Sequence, residues 1–255
     1  MTNKEIIEKI RKFIKEEIRR GKSVTKFSFK SNSPKFFQSL GISVGLDQNK
    51  EIILHEETQI ELGGMNKHSF SLILPIEDLN IIKDGSITLL GPEINQVASS
   101  DVDFGLFALI GIDDISEKEY SDLRNLNFLS NGIEGFSIRT VPRRFWCRIS
   151  KKVFTKNFSF EFLGNAIIYL YKQKFKEIIR KTEIIFICSY PDSIDGFIKI
   201  TSDISNRFRE ELKAKVDEWR KRIDCDYDWG CEICPYQEEC YGLKQVLIER
   251  EEFEK

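Results

Sequence analysis

The sequence predicts an α+β protein, a mixed β-sheet with packing helices followed by a small helical four-cysteine metal-binding module. Three observations carry that prediction. Apolar residues recur at helical spacing over residues 3–20, 160–179 and 208–223, which marks amphipathic helices. Between them stand short strand-like runs, of which Phe104–Ile112 is almost wholly apolar and reads as a central strand buried on both faces. Four of the six cysteines then crowd into residues 225–240.

Taken in order, Ile6, Ile7, Ile10, Phe13, Ile14 and Ile18 form one helical stripe, with Gly21 placed for a C-terminal cap. Val24–Lys30 alternates as a strand does, and Ser33-Pro34 through Gly41 reads as a short capped helix. Strand-like runs follow at Ile42–Leu46, Glu51–His55 and Ser69–Pro75. Residues 79–90 predict a hairpin, because Asp84-Gly85 supplies a tight turn between two apolar arms. A charged helical segment is expected over 116–131. Strands are expected at Gly135–Val141 and Phe145–Ser150, a helix from Phe160 to Ile179, and a strand at Glu183–Cys188. A turn at Pro191–Gly196 divides a domain of residues 1–195 from the cysteine module of 196–255, whose last long helix leads into Cys225 and is followed by a second from Tyr241 to Glu252.

At 255 residues, 41% hydrophobic and 31% charged, the chain can bury a substantial core. A net charge of −2 gives no footprint for nucleic acid and no attraction to an anionic membrane. No signal peptide or membrane span is visible, so the expected location is cytoplasmic, where clustered cysteines favour metal over disulfides.

Cys225, Cys231, Cys234 and Cys240 are separated by five, two and five residues. Four thiolates in a short loop can close around zinc or hold the corners of a four-iron four-sulfur cluster. Zinc ribbons usually present two close pairs, whereas only Cys231 and Cys234 form one here. Proline after a ligand cysteine, as in Cys234-Pro235, recurs in ferredoxin-type loops. The spacing favours the cluster, with zinc as the alternative and disulfides or free thiols behind both.

Arg139-Thr-Val-Pro-Arg-Arg-Phe-Trp146-Cys-Arg148 is the densest cationic and aromatic run. If residues 144–148 are extended, Arg144, Trp146 and Arg148 share one face, and Phe145, Cys147 and Ile149 the other. Guanidinium groups beside an indole suit a ligand joining a purine to phosphates. Spacing alone favours the plainer reading, arginines stacked on tryptophan and paired with carboxylates. Cys147 and Cys188 read as core packing. His55-Glu56-Glu57-Thr58-Gln59-Ile60-Glu61 reads as a solvated turn or strand edge rather than a metal site, and His68 receives no role.

Four ordered segments, Glu56–Gly64, Asp84–Glu93, Phe145–Lys151 and Phe160–Leu170, resemble the middle domain of the acetyl-CoA synthase subunit of carbon monoxide dehydrogenase/acetyl-CoA synthase complexes. The resemblance covers about residues 50–190. It implies an α+β unit implicated in coenzyme A handling, with Trp146 and Arg148 on the matching motif; Arg143 and Arg144 precede it in a different spelling. The family's nickel centre lies in a further domain with a cysteine-glycine-cysteine element. This chain has no such element up to Lys255, so nickel and acetyl transfer are not carried over. The expectation is an acetyl-CoA synthase-like iron-sulfur protein with a protein partner in a multi-subunit complex. The competing expectations are a zinc-stapled scaffold and a stand-alone enzyme acting on a coenzyme A thioester.

Overall fold

The computed structural model describes residues 3–46, 52–64, 66–113, 117–141 and 144–202. Met1–Ile200 forms one compact unit and Thr201–Lys255 another. The predicted cysteine loop and the helices on either side of it lie outside the described residues.

The elements run α1 (Asn3–Arg19), β1 (Val24–Ser28), α2 (Ser33–Leu40), β2 (Thr58–Gly63), β3 (Ser69–Ile76), β4 (Ser86–Leu90), β5 (Asp101–Val102) and β6 (Phe104–Ile112). After these come α3 (Glu117–Arg124), α4 (Asn127–Gly132), β7 (Phe136–Val141), β8 (Arg144–Ser150), α5 (Lys151–Phe154), α6 (Phe160–Lys174) and β9 (Ile179–Cys188). Residues 191–202 are helical and are called α7. No described helix is long and apolar enough to cross a membrane.

Two mixed sheets result among the described residues. One has the order β1-β4-β9-β6-β3, the other β5-β2-β8-β7. In the larger sheet β4 runs parallel to β9 and β6 parallel to β3, with antiparallel pairing between β9 and β6 and between β1 and β4. Every residue of β6 is buried, as its continuous apolar run predicts. Its alternation divides the core in two. Phe104, Leu106, Ala108, Ile110 and Ile112 join the principal core, while Phe107 meets the Phe197 ring at 5.1 Å on the opposite face. Phe197 in turn lies edge-on to Phe13 of α1 at 6.0 Å, so α1 and α7 cover that second face.

Helix α6 fills the principal core. Ser159 caps it by accepting from the Phe162 N–H, and Glu93 Oε2 accepts from the Phe160 N–H at 2.9 Å. Gly164 lets α6 approach β4, since a Cβ there would stand 2.7 Å from Ile87 Cγ2. Phe104 stacks near Phe160 at 5.9 Å and near Phe145 of β8 at 5.8 Å, which ties the two sheets together through one ring.

Several expected elements differ. Residues 79–81 are a 3₁₀ turn rather than a hairpin arm, and β4 pairs with β1 and β9. Gly85 does take a positive φ of 70°, but its N–H donates to Thr182 O and Asp84 Oδ1 accepts from the Thr182 N–H, so β9 takes the bonds that the predicted arm would have used. Ile42–Leu46 contributes only an isolated bridge between Val44 and Ile133, and residues 52–54 form no strand. The charged segment after β6 is two short helices. The apolar repeat after Phe160 outruns its helix, because α6 stops at Lys174 and Ile179 opens β9. Pro191–Gly196 is not a turn but the start of α7, with proline where its missing N–H costs nothing. Glu17 fixes that helix: it is buried, accepts from Ser193 Oγ at 2.5 Å and pairs with Lys22 at 2.8 Å.

Tyr171 of α6 is fully buried, donates its hydroxyl to Leu123 O at 2.9 Å, and lies edge-on to Phe128 at 5.1 Å. Tyr171→Phe leaves that carbonyl unpaired while keeping the ring. It should cost about 1–2 kcal/mol, read as a lower urea midpoint at unchanged slope.

Candidate functional site

The outer face of the smaller sheet is built by the β7–β8 hairpin. Phe145, Cys147 and Ile149 are buried, whereas Trp146 and Arg148 are half-buried on the alternate face. The alternation read from the sequence therefore holds for these five residues. Arg144 opens β8 opposite Val141, and Arg143 lies outside the described residues.

Cross-strand register sets the neighbours of the indole. Trp146 stands opposite Gly63 of β2 on one side and Arg139 of β7 on the other. Gly63 is required by geometry, since its φ is 80° and a Cβ would lie 2.4 Å from Phe145 O. Position 63 thus places no side chain of its own beside the indole, and Ser69 Cβ would lie 2.9 Å from a Cβ added there. Its Nε1–H is shielded from solvent and has no hydrogen-bond partner among the described residues.

Arg148 is occupied. Its Nε donates to Glu61 Oε2 at 3.2 Å and its Nη1 to Ile53 O at 3.4 Å, with both members of the ion pair about one quarter exposed. Glu61 stands directly opposite Arg148 across β2 and β8. This is the carboxylate pairing that the sequence left open. Arg139, by contrast, is exposed at the edge strand and makes no hydrogen bond or ion pair among the described residues. It was not selected from the sequence, although the two-residue connection 142–143 between two strands places it opposite Trp146.

The remaining candidates sort plainly. His55, Glu56 and Glu57 are exposed in a turn closed by Thr58 N–H donating to His55 O at 3.1 Å. His68 is exposed and paired through Nδ1 with Asp195 Oδ1 at 2.8 Å, a hydrogen bond that raises its pKa. Burial pushes the Cys147 thiol well up and the Cys188 thiol up to about 11, so both stay protonated in the core at neutral pH. No group of three His, Cys, Asp or Glu arranged to hold a metal occurs among the described residues. Cys225, Cys231, Cys234 and Cys240 lie outside them.

The four segments that carried the resemblance meet in pairs. Glu56–Gly64 and Phe145–Lys151 run side by side as β2 and β8, while Asp84–Glu93 and Phe160–Leu170 are joined by the Glu93–Phe160 hydrogen bond and the Gly164–Ile87 contact. Compared with known proteins, residues 40–192, more than half of the chain, match the sequence model of the CO dehydrogenase/acetyl-CoA synthase complex beta subunit. The chain belongs to this beta-subunit family. Similar proteins include the acetyl-CoA decarbonylase/synthase complex subunit beta of Methanopyrus kandleri, 24% identical over 197 residues, covering 76% of this chain and 41% of that protein. The same subunit of Methanothermobacter thermautotrophicus is 23% identical over 202 residues, covering 78% and 41%. The carbon monoxide dehydrogenase/acetyl-CoA synthase subunit alpha of Moorella thermoacetica is 24% identical over 204 residues, covering 76% and 26%. The chain thus spans less than half the length of these beta-subunit family relatives, and its Trp146 face falls inside the matched region.

Proposed function

We propose that this beta-subunit family member is a small iron-sulfur subunit or accessory of a multi-subunit redox or acyl-transfer complex in the cytoplasm. In this reading it holds coenzyme A on the face around Trp146 and one four-iron four-sulfur cluster at Cys225, Cys231, Cys234 and Cys240. The observation that carries the reading is the family match over a region whose one indole stands between a glycine and an arginine that has no ion pair among the described residues. That arrangement fits a purine with phosphates. The half-buried indole offers a ring for stacking, and a guanidinium lies across one strand spacing for a phosphate. The cluster rests on the cysteine spacing and on the preference of soft thiolates for iron-sulfur sites. When bound, it would supply one-electron transfer. Relatives named as subunits of complexes support a protein partner for this chain.

The test is the iron, zinc and acid-labile sulfide content of anaerobically purified protein, with optical spectra before and after dithionite and a titration with coenzyme A. About four iron and four sulfide per chain with a bleachable visible band is expected, together with saturable coenzyme A binding. Zinc without sulfide would replace the cluster by a structural staple. Protein with no iron that binds neither coenzyme A nor a partner would end the proposal.

A further inference from the structure

Resting on the coenzyme A reading but going beyond it, we propose that Arg139 is the side chain that takes the ligand's phosphate, and that Arg148 is a positioning residue. Arg139 and Arg148, two of the four arginines in the run, differ in their surroundings. Arg148 already gives Nε to Glu61 and Nη1 to the Ile53 carbonyl. A phosphate reaching its remaining N–H groups would sit beside the Glu61 carboxylate and be repelled by it, and Arg148's charge is already matched there.

Among the described residues Arg139 carries no such commitment. It is exposed, it lies on the edge strand, and it stands directly opposite Trp146, where cross-strand side chains start about 5 Å apart. A purine lying on the indole therefore has an exposed guanidinium beside it. Glu61 and Asp101, opposite one another across β2 and β5, are each paired with a cation, Glu61 with Arg148 at 3.2 Å and Asp101 with Lys67 at 3.7 Å. With those cations already matched, Arg139 is the exposed guanidinium that a phosphate can reach without competing with a carboxylate among the described residues.

Arg148 has its own task. By bonding the Ile53 carbonyl it pins the segment that exposes Ile52 and Leu54 on either side of buried Ile53. It sets the border of the site without touching the ligand's phosphate.

The experiment is calorimetric titration of the anaerobically purified full chain with coenzyme A and with inorganic pyrophosphate, in wild type, Arg139→Gln, Arg139→Lys and Arg148→Gln. Amide hydrogen exchange over residues 52–57 is followed in each. Arg139→Gln should weaken both ligands by roughly tenfold or more, the scale of a charge-assisted hydrogen bond, and Arg139→Lys should recover most of it. Arg148→Gln should speed exchange over 52–57 while changing pyrophosphate affinity by less than about threefold. Unchanged coenzyme A and pyrophosphate affinity in Arg139→Gln, with the loss appearing in Arg148→Gln, would overturn the assignment and leave the coenzyme A reading standing. Wild type that takes pyrophosphate at Arg139 but not coenzyme A would do the reverse. Wild type that takes neither ligand would remove both.

Discussion

Gly91→Ala is expected to destabilise the domain by about 4 kcal/mol or more, adding the strain of a forbidden backbone conformation to a hard contact. Gly91 follows β4 directly and holds φ at 128°, where L residues are rarely found. A Cβ built there would lie 2.1 Å from the backbone oxygen of Cys188. That oxygen cannot swing away as a flexible side chain could, because it belongs to β9, which pairs with β4 on one edge and β6 on the other. The Gly91 N–H also donates to Ser23 O at 3.0 Å, so a shift would loosen the entry to β1. A loss of that size is a large fraction of the 5–15 kcal/mol typical of a domain. The measurement is soluble yield and urea midpoint, with Gly21→Ala as control. Gly21 has φ of 84° but nothing within 4 Å of an added Cβ, so it should cost only about 1–2 kcal/mol. Equal losses at the two positions would mean that the contact with β9 contributes nothing.

This contrast shows which features a sequence discloses. Helix α6 and strand β6 were legible because their burial is written in local periodicity. The hairpin expected over 79–90 was not, because Asp84-Gly85 forms its turn whatever lies beyond it, and the strand that takes its hydrogen bonds is some hundred residues away. Local chemistry gave the turn, and long-range pairing chose its partner. The same division holds at the Trp146 face. Strand alternation sorts Phe145, Cys147 and Ile149 from Trp146 and Arg148 without any structure. The Arg148–Glu61 pair joins residues 87 positions apart and needs the register of β2 against β8, which no local pattern encodes. Arg139 lay between these cases. Its place opposite Trp146 follows from the short connection, but its freedom is visible only once the carboxylates have been assigned elsewhere.

The second large effect is expected at Glu134, just before β7. Its side chain is one-tenth exposed; Oε1 pairs with Lys152 Nζ at 2.9 Å and Lys156 Nζ at 3.2 Å, and Oε2 accepts from the Ser43 N–H at 2.9 Å. Burial alone would raise its pKa, yet the bonds from Lys152, Ser43 and Lys156 together carry it down from 4.5 to about 2. A folded-state pKa below the unfolded one means stability that is present above about pH 4.5 and is lost as the pH falls toward 2. The size of that depression corresponds to about 3 kcal/mol at neutral pH. Glu134→Gln keeps the shape and one acceptor but removes the charge, so it should lower stability by about 2–3 kcal/mol at pH 7. The deficit should shrink as wild type itself becomes protonated, until the two proteins converge near pH 2. Urea midpoints of both at pH 7, 5 and 3 check this; a deficit that stays constant would assign the loss to geometry rather than charge. Because Glu134 also donates its own N–H to Ser43 O, it fastens the start of β7 to the segment after α2. The strand that presents Arg139 is therefore anchored at one end by an ion pair that acid should release.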